Sequence, residues 1–535
     1  MGIYLNPGNA GFRQSVNSAI YVDKTGLIAY ANSVLETEQK CLCVSRPRRF
    51  GKSMAAEMLC AYYDRSADSR ELFAPFEIAG HPSFERCINR YDVLYLNMID
   101  FLTQSQTMQE MTALLQSKLR SELLAAYGSD ACGAGGLTDT LSRLGLPENG
   151  MLRFVVIIDE WDCVFREWKG DLRAQKDYLS FLRSLLKDKP SIALAYMTGI
   201  LPIKKYGAHS ALNMFDEFSM EDQLQLARYT GFTEDEVQAL CADYGRDAED
   251  FRVMYNGYLL QDSNGTSYEI YNPRSVVKAL QNNNLSGYWT RTETYEALRV
   301  YIDLDFDGLR DKVTALLAGE RVPTDTSKFQ NDMTTFTKAD DVLTLLVHLG
   351  YLGLTPTSET DGLDSPTGEV FVPNKEILAE YRRAMEDGGW PEVMKAVQAS
   401  KALLDALWER DAASVAAGIE AAHLDTAHIT YNSEAALSYT VSLALFAARD
   451  YYTLVRELPS GKGFVDIAFI PRPNRSGIPA MLLELKWDAA AETAISQIRD
   501  RHYPDSLAAW SGTVLVAGIS YDKKTRTHSC VIESA

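Results

Sequence analysis

Strand-length apolar runs mark the N-terminal half of the chain: Cys41-Leu42-Cys43-Val44, Phe154-Val155-Val156-Ile157-Ile158 and Ile192-Ala193-Leu194-Ala195-Tyr196-Met197. Val93-Leu94-Tyr95-Leu96-Asn97 is a further member of the same kind. Unalternating runs of this length predict strands buried on both faces of a parallel sheet. Helix-period segments fall between them, so the pattern predicts an α/β fold. Further on, Thr233 with Glu236 makes a capping box that opens a helix. Ala339–Leu349 reads as an amphipathic helix stopped by Gly350. A β-hairpin ending at Val370-Phe371-Val372 follows, with the polar stretch Asp361–Ser365 as its tip. Helix followed by hairpin is the outline of a winged helix, and its acidic surroundings favour packing as part of a lid over contact with DNA.

The C-terminal pattern differs. Gly463–Ile470 reads as a strand, Pro471–Gly477 as a turn and Ile478–Trp487 as a second strand. A helix around Ala494–Ile498 and a closing strand, Gly512–Ile519, give an αβββαβ-like order. Three blocks result: 1–275, 276–390 and 391–535, the last with a core at about 430–535.

The first run carries chemistry. After Cys41–Val44 come Ser45, a loop of Arg46, Pro47, Arg48, Arg49, Phe50 and Gly51, then Lys52, Ser53 and Met54 at the start of a helix. Loop N–H groups and the positive end of a helix hold phosphates. Lys52 can reach the β- and γ-phosphates of ATP, and the Ser53 hydroxyl can ligate Mg²⁺. The usual pattern puts glycine where Arg46 stands. Phe154–Ile158 ends in Asp159 and Glu160. Asp159 would hold Mg²⁺, mostly through water, and Glu160 would act as general base toward the attacking water. Thr198, at the tip of the next strand, could contact the γ-phosphate or that water; equally, it could satisfy its own backbone. Arg228 and Arg274 stand between two readings, γ-phosphate sensors or plain salt bridges.

Near the C-terminus, antiparallel pairing of the two strands would set Asp466 beside Glu484. Glu484 and Lys486 are two apart and share a face. Two carboxylates and one ammonium on one patch suit metal-assisted phosphodiester cleavage. Asp466 and Glu484 would bind Mg²⁺, with Mn²⁺ a possible substitute, and Lys486 would orient or help deprotonate a water. The bland reading is a Glu–Lys pair on an ordinary hairpin.

The segments Tyr21-Val22-Asp23-Lys24-Thr25, Arg46–Ser53 and Ile158-Asp159-Glu160-Trp161-Asp162 resemble a prokaryotic family of AAA-like ATPases. Phe215–Ser219, Tyr255-Asn256-Gly257-Tyr258 and Tyr271-Asn272-Pro273 extend the match over nearly the whole chain. Members commonly carry a C-terminal PD-(D/E)XK nuclease domain, which Asp466 with Glu484-Leu485-Lys486 resembles; Val465 stands where the superfamily name has proline. The resemblance implies a P-loop NTPase with a parallel sheet and a helical or winged-helix lid, followed by an α/β restriction-endonuclease-like domain. It also makes the arginine-rich loop the usual family form. By the same resemblance Gln497 is a supporting residue and Glu434 an additional metal ligand, each with an equally good structural reading.

Composition narrows the picture. No stretch of apolar residues is long enough for a membrane span, and the N-terminus has no basic-then-apolar leader. The eight cysteines form no paired ligand set and read as reduced core thiols, so a cytoplasmic protein is expected. The net charge of −19 opposes casual nucleic-acid binding, but it is uneven. Residues 1–60 hold seven basic and four acidic side chains, residues 430–535 eleven of each, and the acidic excess lies between. The expected activity is an ATPase coupled to a Mg-dependent nuclease acting on nucleic acid, with DNA favoured, in defence or mobile-element biology. A homo-oligomer is compatible with it. The rival is a nucleotide-switched regulator or binding module whose nuclease fold does not cut.

Overall fold

The computed structural model describes residues 2–535 except 204–211, 290–295, 305, 328, 330–335, 337, 357–366, 389, 426–433, 461–462, 473–474, 476 and 502–511. The chain divides into two compact units, Met1–Thr294 with Pro323–Ala379, and Tyr295–Val322 with Glu380–Ala535. The middle block of the sequence is thus shared between them, and the chain passes from one unit to the other at 294/295, 322/323 and 379/380.

In the first unit, β1 (Cys41–Ser45), β2 (Asp92–Asn97), β3 (Phe154–Asp159), β4 (Ile192–Gly199) and β5 (Asp216–Phe218) form one sheet in the order β2-β3-β4-β1-β5. All its pairings are parallel. β1, β3 and β4 are buried at every position, which is why their sequences are unbroken apolar runs. Each buried Val, Ile or Leu contributes about 1.5–3 kcal/mol by leaving water. Register sets the site: Asn97 pairs with Asp159, Asp159 with Thr198, and Val44 with Thr198. The polar residues therefore line up along the carboxyl edge, where such sheets bind ligands.

Two small sheets complete this unit. One has the order β6-β8-β7, from β6 (Phe232–Thr233), β7 (Tyr258–Gln261) and β8 (Ser267–Tyr271). The expected capping box of Thr233 and Glu236 opens the helix Glu234–Asp243. The other has the order β10-β11-β9, from β9 (Val322–Asp325), β10 (Gly353–Pro356) and β11 (Thr367–Phe371). The helix Ala339–Leu349 precedes its hairpin and stops at Gly350, whose φ of 86° is left-handed. The expected hairpin tip at Asp361–Ser365 lies outside the described residues.

The second unit is built on β12 (Tyr452–Ser460), β13 (Gly463–Pro471), β14 (Ala480–Trp487), β15 (Val514–Asp522) and β16 (Thr527–Ser534), in that order across the sheet. β14 and β15 are parallel and the other pairs antiparallel. The helix Ala491–Asp500 lies between β14 and β15 in sequence. It packs Ile495 and Ile498 on Val465, Leu482 and Val516. This is the expected αβββαβ order with one added strand. No helix among the described residues is long and apolar enough to cross a membrane.

Candidate functional site

The loop after β1 ends at Gly51, with φ of 86°, and the helix Lys52–Tyr63 begins there. Arg49 is also left-handed, at φ 68°. The Lys52 ammonium is nearly buried and donates to the carbonyls of Arg46 (3.0 Å) and Pro47 (2.8 Å). Burial lowers its pKa to about 8, although the nearby carboxylates of Glu160, Asp159 and Asp162 oppose the shift. Asp159 is 1% exposed and hydrogen-bonds to Ser53. Burial lifts its carboxyl to about 6, with the Glu160 charge adding to the rise and the Ser53 hydroxyl opposing it. Ser53 and Asp159 thus meet, and a carboxylate made uncomfortable by burial suits a cation. Thr198 is fully buried, and its hydroxyl has no partner among the described residues.

A cleft of about 940 Å³ opens beside this edge. Arg48, Arg49, Phe50, Gly51, Lys52, Ser53 and Met54 line it, together with Glu160 and Arg274. Ile20, Tyr21 and Val22 give it an apolar wall, with Phe232, Pro273 and Val277 also lining it. That combination of a cationic loop and an apolar slot fits a nucleotide. Arg228 is not part of the lining: its guanidinium lies 5.7 Å from the Tyr229 ring and its carbonyl accepts the Lys24 ammonium.

Arg46 is placed otherwise. It is fully buried, and Nη1 donates to the carbonyls of Ser45 (2.9 Å), Phe218 (2.8 Å) and Ser219 (2.9 Å). Its guanidinium braces β1 to the end of β5 and does not line the cleft. Pro47 packs toward Gly350, where any Cβ would lie 2.7 Å from the Pro47 ring. Arg49 donates to the carbonyls of Tyr288 (2.9 Å) and Trp289. In return the Arg48 carbonyl accepts Asn272 (3.3 Å) and the Trp289 indole (3.1 Å), and Phe50 accepts the Gly231 N–H (2.9 Å). The Tyr271-Asn272-Pro273 motif therefore clamps the loop, which pattern reading did not anticipate.

Sequence reading also missed Arg166. It lines the cleft and pairs with Glu160 and, at 3.2 Å, with Asp162. Its spacing of four from Asp162 on a helix was the available signal.

In the second unit the Asp466–Glu484 neighbourhood forms as the register requires. Ile467 pairs with Leu483, which puts Asp466 next to Glu484, and Asp466 Oδ2 accepts the Leu485 N–H at 2.6 Å. Glu484 is 1% exposed; its Oε1 accepts Lys486 Nζ (3.0 Å) and the Gln497 amide. Its Oε2 is buried with no hydrogen-bond partner among the described residues. Burial, then the Asp466 charge, raise the Glu484 carboxyl to about 7, while Lys486 and Arg501 oppose the rise. A buried orphan oxygen beside a second carboxylate fits a divalent cation. Gln497 reaches this centre because Gly518, which pairs with Glu484, has no side chain. A Cβ there would lie 2.4 Å from the Ala491 carbonyl, so glycine lets the helix approach. Glu434 opens the helix Glu434–Ala444, and its side chain lies outside the described residues. No cluster of three or more acidic, His or Cys ligands occurs among the described residues.

Comparison with known proteins matches residues 12–208 to a family described as predicted AAA-ATPase and residues 435–530 to the PD-(D/E)XK nuclease superfamily. An uncharacterized protein from the vnfD 5′ region of Azotobacter chroococcum mcd 1 is 24% identical over 525 residues, covering 95% of this chain and 94% of that protein. Among solved structures, a DNA replication initiation factor matches 82% of this chain and 97% of its own at 11% identity and a TM-score of 0.25. The Aeropyrum pernix ORC2 protein matches 71% of this chain and 98% of its own at 12% identity and a TM-score of 0.30. With the parallel sheet and its Lys52 loop in one unit, and the Asp466–Glu484 sheet in the other, the chain joins an AAA-ATPase-like domain to a PD-(D/E)XK nuclease superfamily domain.

Proposed function

We propose that this protein hydrolyses ATP at the Lys52 loop and cleaves nucleic acid, DNA in preference, at the Asp466–Glu484–Lys486 centre, with the nucleotide state governing cleavage. One observation carries the reading: each unit buries a carboxylate of raised pKa, Asp159 and Glu484, with a lysine close by. Such groups are poised for a divalent cation and a phosphate. Ser53 and Asp159 would hold the Mg²⁺ of Mg·ATP; Asp466 and Glu484 would hold a second Mg²⁺ or Mn²⁺. In each site such a cation would neutralise phosphate charge, and at the Asp466–Glu484 centre it would also acidify a water.

The side chains do the rest. Lys52 and the loop amides bind the phosphate tail, the Tyr21 wall holds the base, and Glu160 takes the proton of the attacking water. In the other centre Lys486 orients the water and Gln497 fixes the Glu484 carboxylate. The neutral balance of residues 430–535 supports polyanion access at that end. The test is twofold. Lys52→Ala should abolish ATP binding and turnover while metal-dependent cleavage loses its ATP response. Asp466→Ala should abolish cleavage and leave ATP turnover intact.

A further inference from the structure

Phe464 stands at the rim of the Asp466–Glu484 centre with 56% of its surface exposed. A single exposed apolar residue is ordinary on a protein surface; the place of this one is not. It lies two residues before Asp466 on β13, so the two side chains leave the same face of the sheet. Two residues of a strand span about 7 Å. The ring is therefore one short step from the carboxylates that would hold the cation. Pro459 of β12 pairs with Phe464 and is exposed as well, which widens the apolar surface. β12 is the outermost strand, so this surface ends at the border of the sheet. Proline has no N–H to offer an added β-strand, which disfavours a protein strand as the occupant. Cations stand on the other side of the centre. Lys486 contacts Glu484, and Arg501 follows Gln497 by one turn at the end of its helix. An aromatic face beside ammonium, guanidinium and paired carboxylates matches a nucleotide strand, with phosphate on the charged groups and base on the ring.

We propose that Phe464 is a stacking platform for the base next to the scissile phosphate, so that the Asp466 centre takes its substrate as a single strand or a locally unpaired one. In a duplex the flat faces of the bases are already stacked on their neighbours, and the ring finds none to cover. In a single strand each base offers such a face, and stacking does not depend on which base it is. Phe464 thus selects strandedness and not sequence, and it holds the backbone where its phosphate meets the cation. The ring binds substrate and takes no part in proton transfer. The inference rests on the proposed nuclease reading.

The test is fluorescence anisotropy of the full chain with an end-labelled DNA single strand and its matched blunt duplex, in Ca²⁺ with Mg²⁺ withheld so that binding is read ahead of cutting. Wild type should hold the single strand more tightly than the duplex. Phe464→Ala and Phe464→Leu should each weaken the single strand about tenfold and leave the duplex unchanged. Phe464→Tyr keeps an aromatic face and should restore the single-strand affinity. The ring is exposed, so none of these changes threatens the fold. Equal affinity of wild type and Phe464→Ala for the single strand, or an equal loss for strand and duplex, overturns the inference. So does altered sedimentation of Phe464→Ala with strand binding intact, which would mark the ring as a contact between copies. Any of these results, with Mg²⁺-dependent cutting by wild type still abolished in Asp466→Ala, defeats this inference alone. Failure of the wild type to bind or cut either DNA defeats the nuclease reading and this inference with it.

Discussion

The guanidinium of Arg46 donates to the carbonyl of Phe218 at 2.8 Å, from a position where phosphate loops usually have glycine. The same nitrogen reaches the Ser45 and Ser219 carbonyls, so one buried cation ties the start of the loop to β5. Burial lowers its pKa to about 10, still high enough to keep the charge near neutral pH. Arg46→Met should leave these carbonyls without their donor and destabilise the first unit by about 3 kcal/mol. Urea unfolding measures this; unchanged stability with lost ATP affinity would place Arg46 on the phosphates instead.

Nucleotide affinity should peak between two titrations. Lys52, at about 8 in the free protein, must be charged to hold phosphate, so affinity falls as pH rises through about 8. Asp159, at about 6, must be ionised to hold Mg²⁺, so affinity for Mg·ATP falls as pH drops through about 6. Titration in buffers of different ionisation enthalpy should show proton uptake above pH 8 and proton release below pH 6. A flat profile between pH 5 and 9 contradicts both assignments.

Glu484 makes a stability prediction of known sign. Its folded pKa, about 7, is above the ordinary 4.5, so the folded chain binds the extra proton between those values. Without divalent cations the stability of the second unit should therefore fall as pH rises from about 4.5 through about 7. Mn²⁺ should restore it above pH 7, and Glu484→Gln should remove both effects. Thermal unfolding with chelator or with Mn²⁺ reads this directly.

Gly518→Ala tests the approach of the helix that carries Gln497. The new methyl meets the Ala491 carbonyl and the Ala494 methyl, so the helix must shift. We expect a loss of about 1–3 kcal/mol and weaker Mn²⁺ binding, because Gln497 no longer holds Glu484. Wild-type Mn²⁺ affinity would show that the Gln497 contact is dispensable.

Much of this was legible in local pattern. Unbroken apolar runs revealed the parallel strands, and the period of two fixed which side chains Asp466, Glu484 and Lys486 share a face with. What was not legible depends on distant partners. Arg46 reads as a phosphate ligand until Phe218 and Ser219, far along the chain, supply carbonyls that turn it inward. The carboxylate of Glu376 accepts the N–H groups of Tyr288 and Trp289 and so supports the clamp on Arg49, but it lies on a helix with no motif of its own. Gly518 is an ordinary strand glycine until the register sets it beside Glu484.

The most direct measurement is cleavage of matched plasmid and single-stranded DNA in Mg²⁺, with and without ATP, by wild type, Lys52→Ala and Asp466→Ala. Two working centres predict ATP-responsive cutting by wild type, cutting without that response by Lys52→Ala, and none by Asp466→Ala. Undiminished cutting by Asp466→Ala, or no cutting by wild type under any condition, would contradict the account.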